Sequence, residues 1–344
     1  MNTHYYWQED VPVLADFKKE VLNNYHTFLN TYSTPEDLFE SSLFEKGSTD
    51  RFSWFIEDYK AQDASFRGVN DAFGFEFSLA RVSETSNDVI GYITYVVPET
   101  PASEAGLKRG DVFNVFNDVT LNLDNYSIVN KYYSDNNISM KFATINNGAI
   151  VSNGEEANLT IRQVIENPVY YSSIIEVDGK KVGYLVYNSF KYTFHKEMND
   201  VFSTFLFNGI DDLILDLRYN GGGAVLTSSY LASMIYSGAS TDEVFAKYVH
   251  NSKNPSDNDE VTFNDTGFIY DIDGNLVAEI YPGNTKGQGG HLFVKDPKFA
   301  DRIKVMGKEY DGIHRMTFVI DENGVVSKVI EKVKTKDHAA QILN

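Results

Sequence analysis

Between residues 213 and 223 an aliphatic run stops at three glycines: Leu213-Ile214-Leu215-Asp216-Leu217-Arg218-Tyr219-Asn220-Gly221-Gly222-Gly223. Glycines at a strand end leave backbone N–H groups bare of side chains. Such a turn can approach a substrate closely and aim its amides at a developing negative charge. The same string also suits a plain strand-to-helix turn, because glycine-rich loops are common in α/β cores. Residues 224–235 have helical periodicity, so the order is strand, turn, helix. Aliphatic residues on both faces of the strand predict a buried sheet.

The other residue types with chemical potential offer less. His195 stands at a predicted helix start, and His250, His291, His314 and His338 are scattered without zinc spacing or an evident Ser/Asp partner. Asp271, Asp273 and Asn275 alternate as calcium ligands do. However, Gly274 is misplaced for a calcium loop and no trailing glutamate fits, so the segment reads as a hairpin turn. Ser252 and Ser256 lie in a polar loop without a partner. The chain has no cysteine, which excludes disulfides, thiolate metal sites and a cysteine nucleophile. No metal and no cofactor is called for.

Composition narrows the partners. The 344 residues carry a net charge of −19, which argues against nucleic acid and against anionic membrane surfaces. No apolar run reaches the roughly 18 residues of a membrane span. Met1–Trp7 is neither basic nor apolar, so no signal peptide is expected. The length predicts two or three domains.

The elements around the glycine turn follow from local signals. Residues 1–66 read as a helical region: Val13, Leu14, Phe17, Val21, Leu22, Tyr25, Phe28 and Leu29 recur at helix spacing. Thr34-Pro35-Glu36-Asp37 is a helix start, and Trp54, Phe55 and Tyr59 are assigned to a later helix as core aromatics. Residues 67–166 are strand-rich, with a short helix at Ala102–Ala105 and glycines 106 and 110 where positive φ is required. Residues 167–294 begin with two strands joined by Asp178-Gly179, a hairpin signal. A helix carrying Met198, Val201, Phe202 and Phe205 follows and ends at Asn208-Gly209. Strand, helix, strand implies a right-handed crossover, hence a multidomain α/β chain.

Two of these strings, in this order, resemble the C-terminal processing (tail-specific) serine peptidases. One is Asp-Leu-Arg-x-Asn-x-Gly-Gly at 216–223. The other is Ala105-Gly106-Leu107-Lys108-Arg109-Gly110-Asp111, which resembles a PDZ domain ahead of the catalytic core. The resemblance covers roughly residues 67–253. It implies a helical N-terminal cap, a PDZ-like β domain over 67–166 and an α/β peptidase-like core. It implies a Ser/Lys dyad, with Gly222 and Gly223 contributing amides to an oxyanion hole. It also implies a polypeptide substrate with a free C-terminus and a cell-envelope or periplasmic setting. By the same resemblance Phe73-Gly74-Phe75-Glu76-Phe77 is the loop and edge strand that bind a C-terminal peptide; an ordinary hairpin with core aromatics is the alternative. The family's Thr-Ala-Ser-x-Ser-Glu-like serine string is missing. Pro282–Gly290 faintly resembles its lysine string, which makes Lys286 the candidate base, with a solvated loop lysine as the alternative. A catalytically inactive peptide-binding protein or a chimera remains the competing reading.

Residues 295–344 change character: 10 basic against 8 acidic residues, after a segment with net charge −21. Met306–Gly324 and Lys332–Leu343 resemble the end of a bacterioferritin-comigratory peroxiredoxin, in which the residue matching Arg315 assists a cysteine. Without cysteine that chemistry is excluded.

Overall fold

The computed structural model describes residues 1, 3–14, 22–235, 242–263 and 267–280, with the backbone of short strands at 304–305, 308–309, 317–320 and 326–330. Lys286, His291, His314, Arg315 and His338 lie outside the described residues.

The first region carries helices α1 (Leu22–Leu29), α2 (Pro35–Ser41) and α3 (Tyr59–Phe66). Thr34 caps α2 as expected: its Oγ1 accepts from the Asp37 N–H at 3.0 Å, with Pro35 at the first helical position. Trp54 and Phe55 depart from expectation. They precede α3 in irregular chain, and Trp54 is 57% exposed. Upstream, the Asp50 carboxylate accepts from the N–H groups of Phe52 and Ser53, a local bond that competes with helix. Tyr59 does open α3, but it is exposed rather than core.

Strands β1 (Val69–Ala72), β2 (Phe75–Arg81), β3 (Val89–Val96), β4 (Val112–Phe116), β5 (Val119–Thr120), β6 (Asn137–Asn146), β7 (Ala149–Thr160) and β8 (Arg162–Ile165) form the second region, with the short helix α4 (Pro101–Glu104). The sheet runs β2-β3-β4-β6-β7 with β5 on β4, so among the described residues β2 is an edge; β1 and β8 pair separately. Phe73, Phe75, Ile93, Phe113, Phe116 and Met140 fill its core. Each such side chain contributes about 1.5–3 kcal/mol by leaving water. Thr100 closes a capping box with Ser103 at the head of α4. Gly106 and Gly110 have φ of +79° and +93°, as their positions require.

The third region opens with β9 (Val169–Val177) and β10 (Lys180–Tyr187), an antiparallel hairpin turned by Asp178 and Gly179 at φ +51° and +76°. Helix α5 (His195–Asn208) ends on left-handed Gly209 and leads into β11 (Asp212–Asp216), parallel to β10. Helix α6 (Val225–Ile235) follows the glycines. Leu185, Tyr187, Met198, Phe202, Phe205 and Tyr230 bind sheet to helices. The sheet order is β11-β10-β9. β12 (Val244–Tyr248) pairs with β13 (Asp259–Thr262) and not with β11, and β14 (Gly267–Tyr270) pairs with β15 (Leu276–Ile280). Among the described residues β11 is therefore an edge, and Asp212–Leu215 are only partly buried. This corrects the expectation of a strand buried within its sheet. The last described strands form two small hairpins, β16 (Lys304–Val305) with β17 (Lys308–Glu309) and β18 (Thr317–Ile320) with β19 (Val326–Ile330). The turn expected at Asn323-Gly324 lies outside the described residues.

Candidate active site

The glycine turn is built from its two ends. At the strand end, buried Asp216 accepts from Arg218 Nε at 2.9 Å, Arg218 Nη2 at 2.6 Å and the Tyr184 hydroxyl at 2.9 Å. Burial alone would raise this carboxyl, but the Arg218 and Tyr184 bonds outweigh it and hold it below the ordinary carboxylate range. Asn220 then fastens the turn to β10: its Nδ2 donates to Tyr187 O at 3.0 Å and its Oδ1 accepts from the Gly222 N–H at 2.8 Å.

The segment following β10 completes the cradle. The Phe190 N–H donates to Gly222 O and the Ala224 N–H to Phe190 O, both at 2.8 Å. Gly222 and Gly223 have φ of +107° and +137°, a region closed to other residues. A Cβ on Gly223 would also overlap the Phe190 carbonyl. The outcome separates the two glycines named from sequence. The Gly222 N–H is committed to Asn220, which removes it as an oxyanion donor. The Gly223 N–H has no acceptor among the described residues.

Two side chains on the segment that follows β10 were not singled out by sequence. The Ser189 hydroxyl donates to Gly222 O at 3.3 Å. Lys191, two residues on, is mostly buried, with its Nζ 3.9 Å from a Glu166 carboxylate oxygen. Burial lowers its pKa and the Glu166 charge partly opposes that. The available signal was their position: both directly follow a strand that the glycine turn must pack against. The serines considered from sequence lie elsewhere. Ser252 donates to Glu9 and Ser256 to Asp257.

His195 opens α5, as expected, but is fully buried. Its Nδ1 lies 2.7 Å from the Phe268 carbonyl and its Nε2 2.9 Å from Thr227 Oγ1. A carbonyl only accepts, so Nδ1 carries the proton and Nε2 accepts from the Thr227 hydroxyl. Burial pushes its pKa down to about 4. The neutral ring thus bolts α5 and α6 to β14. Asp271 accepts from Asn275 N and Nδ2, at 2.8 and 3.3 Å on the same oxygen, which is the hairpin turn read from sequence.

The sheet of the second region rests on the same turn. Tyr219 lies 5.5 Å from the Tyr95 ring, and the Arg109 guanidinium stands 5.5 Å from the Tyr219 ring centre. The Phe73–Phe77 loop is divided by its geometry. Phe73 and Phe75 are core side chains, 1% and 2% exposed. Gly74, at φ +89°, makes room for the buried Thr100. Glu76 is partly buried, and burial with the nearby Glu166 charge raises its pKa.

Comparison with known proteins finds a family model that spans the turn. The Peptidase S41 N-terminal domain matches residues 1–54 and Peptidase family S41 matches residues 181–288. A solved structure described as an S41 protease of Bacteroides fragilis has a similar fold: TM-score 0.50 at 24% identity, covering 77% of this chain and 64% of that one. The photosystem II D1 C-terminal processing protease aligns with TM-score 0.35 at 19% identity, over 61% of this chain and 52% of that one. A separate short likeness links the chain to peroxiredoxin Bcp of Escherichia coli K12, 49% identical over 39 residues, and of Bacillus subtilis 168, 55% identical over 40 residues. The chain spans about a quarter of the length of these curated relatives. Residues 1–54 and 181–288, the latter holding the glycine turn, are thus similar to the two domains of peptidase family S41.

Proposed function

We propose that the chain is a serine endopeptidase of the C-terminal processing type, acting on unstructured polypeptides with free C-termini. The observation that carries this is the Gly223 N–H, which has no acceptor among the described residues and is held at positive φ by the bond of the next amide, Ala224 N–H, to the Phe190 carbonyl. An amide fixed in this way can donate a hydrogen bond to an oxyanion without reorganising, which is what acyl transfer requires. A serine hydroxyl needs a base, and a lysine kept neutral by burial meets that need. Lys286, in the glycine-rich string at 282–290, is the base in this reading. The PDZ-like reading of residues 67–166 adds peptide capture: β2 is an edge strand, and Phe73–Phe77 lie at its start. No helix among the described residues is long and apolar enough to cross a membrane.

The test is cleavage of an unfolded polypeptide together with labelling by a serine-reactive probe, and mapping of the labelled residue. Cleavage with a single labelled serine is expected, and Lys286→Ala is expected to abolish both signals. An intact substrate and an unlabelled protein would overturn the peptidase reading.

A further inference from the structure

The peptide edge of β2 is already occupied from within the chain. Val97 N–H donates to Gly74 O at 2.8 Å, so the Gly74 carbonyl faces β3. Carbonyls alternate along a strand, so the next one, on Phe75, faces the outer edge. An added peptide strand would donate to that oxygen. Here the Tyr132 hydroxyl donates to it instead. The Tyr132 ring lies among Phe73, Phe75 and Phe77, with centroids 5.4, 5.0 and 5.3 Å away. One side chain thus makes both contacts that an arriving strand would make, a bond to the edge and an aromatic ring in an apolar pocket.

The segment that delivers Tyr132 is built to leave. Residues Tyr126–Tyr133 form a 3₁₀ helix of eight residues, where runs beyond three or four are uncommon because the bond geometry is poorer than in an α-helix. Its N-cap residue, Asn125, makes no side-chain capping bond. Within it only Val129 is a buried anchor, and Tyr133 beside Tyr132 is exposed.

We propose that Tyr132 is an internal occupant of the β2 edge, and that a polypeptide with an aromatic C-terminal residue binds there by displacing it. The pocket holds an aromatic ring of this size, so the partner it selects ends in Phe, Tyr or Trp rather than in a small residue. The inference rests on the peptide-binding reading of residues 67–166 and names both its ligand class and its regulation. Displacement exchanges one hydrogen bond and one ring contact for another, so affinity is governed by how firmly the resident tyrosine holds.

The experiment uses the full chain and a fluorescent decapeptide ending in a free Phe, read by anisotropy, with an Ala-ended copy for comparison. Tyr132→Phe keeps the ring and removes only the hydroxyl. Losing one net hydrogen bond should tighten Phe-ended peptide binding about fivefold. Tyr132→Ala should tighten it further, and both variants should prefer the Phe-ended peptide. If the wild-type chain binds and Tyr132→Phe binds no tighter, the occupant proposal is wrong while peptide binding stands. If neither peptide binds the wild type nor either variant, the peptide-binding reading falls, and this proposal with it.

Discussion

His195 provides a stability test with a defined sign. Folding lowers its pKa from the ordinary 6.5 to about 4, first through burial, with the Phe268 carbonyl bond acting the other way. Between those values the unfolded chain binds a proton that the folded chain refuses. Stability contributed by this group is therefore complete above pH 6.5 and is lost as pH falls towards 4. Linkage gives a loss of about 2 kcal/mol at pH 5 and about 3 kcal/mol at pH 4. Many carboxylates titrate in the same range, so the informative quantity is a difference between two proteins. His195→Gln keeps a neutral polar side chain and removes the titration. Urea unfolding of both proteins, followed by tryptophan fluorescence at pH 7, 6, 5 and 4, should show the wild type losing more stability than the variant by these amounts. Parallel curves would refute the reasoning, since they would mean that the ring is not held neutral between α5, α6 and β14.

Three further outcomes follow from the same geometry. Gly223→Ala should lower peptidase turnover about a hundredfold by moving the free amide, measured as kcat on an unfolded substrate. Asp216→Ala removes the acceptor for both Arg218 and Tyr184. Arg218 keeps access to solvent, so the loss should be about 2 kcal/mol by chemical denaturation. Thr100→Val deletes the capping box of α4 and should cost about 1 kcal/mol by the same measurement.

What could be read from the chain beforehand was what is encoded within a few residues. Thr34-Pro35 caps a helix, Asp178-Gly179 turns a hairpin and Gly209 ends a helix, because each signal is a local φ preference or a local side-chain bond. The strand–turn–helix around Gly221–Gly223 is of this kind. The failures are non-local. Aliphatic residues in β11 signal a sheet but not how many strands join it, so its place at an edge was invisible. Asn220 had no role of its own in the string, yet its side chain engages the Gly222 amide and leaves that of Gly223 without an acceptor among the described residues. Tyr132 carries no motif, and it meets Phe75 across 57 residues.

The bonding pattern of the turn restricts the nucleophile. An oxyanion hole commonly uses two donors, one of them the amide at or just after the nucleophile. For Ser189 that following amide is Phe190 N–H, which is already bound to Gly222 O at 2.8 Å. Its hydroxyl is bound to the same carbonyl. Were Ser189 to attack, the oxyanion would meet Gly223 N–H with no free partner from its own neighbour, and the bond that shapes the turn would have to break to supply one. Ser189 and Phe190 are thus arranged to hold Gly222 and Gly223 in place. The turn then offers one donor to a hydroxyl that brings its own following amide from another element. A probe that labels a serine other than Ser189, in a protein whose Ser189→Ala variant still labels, is the result this geometry requires.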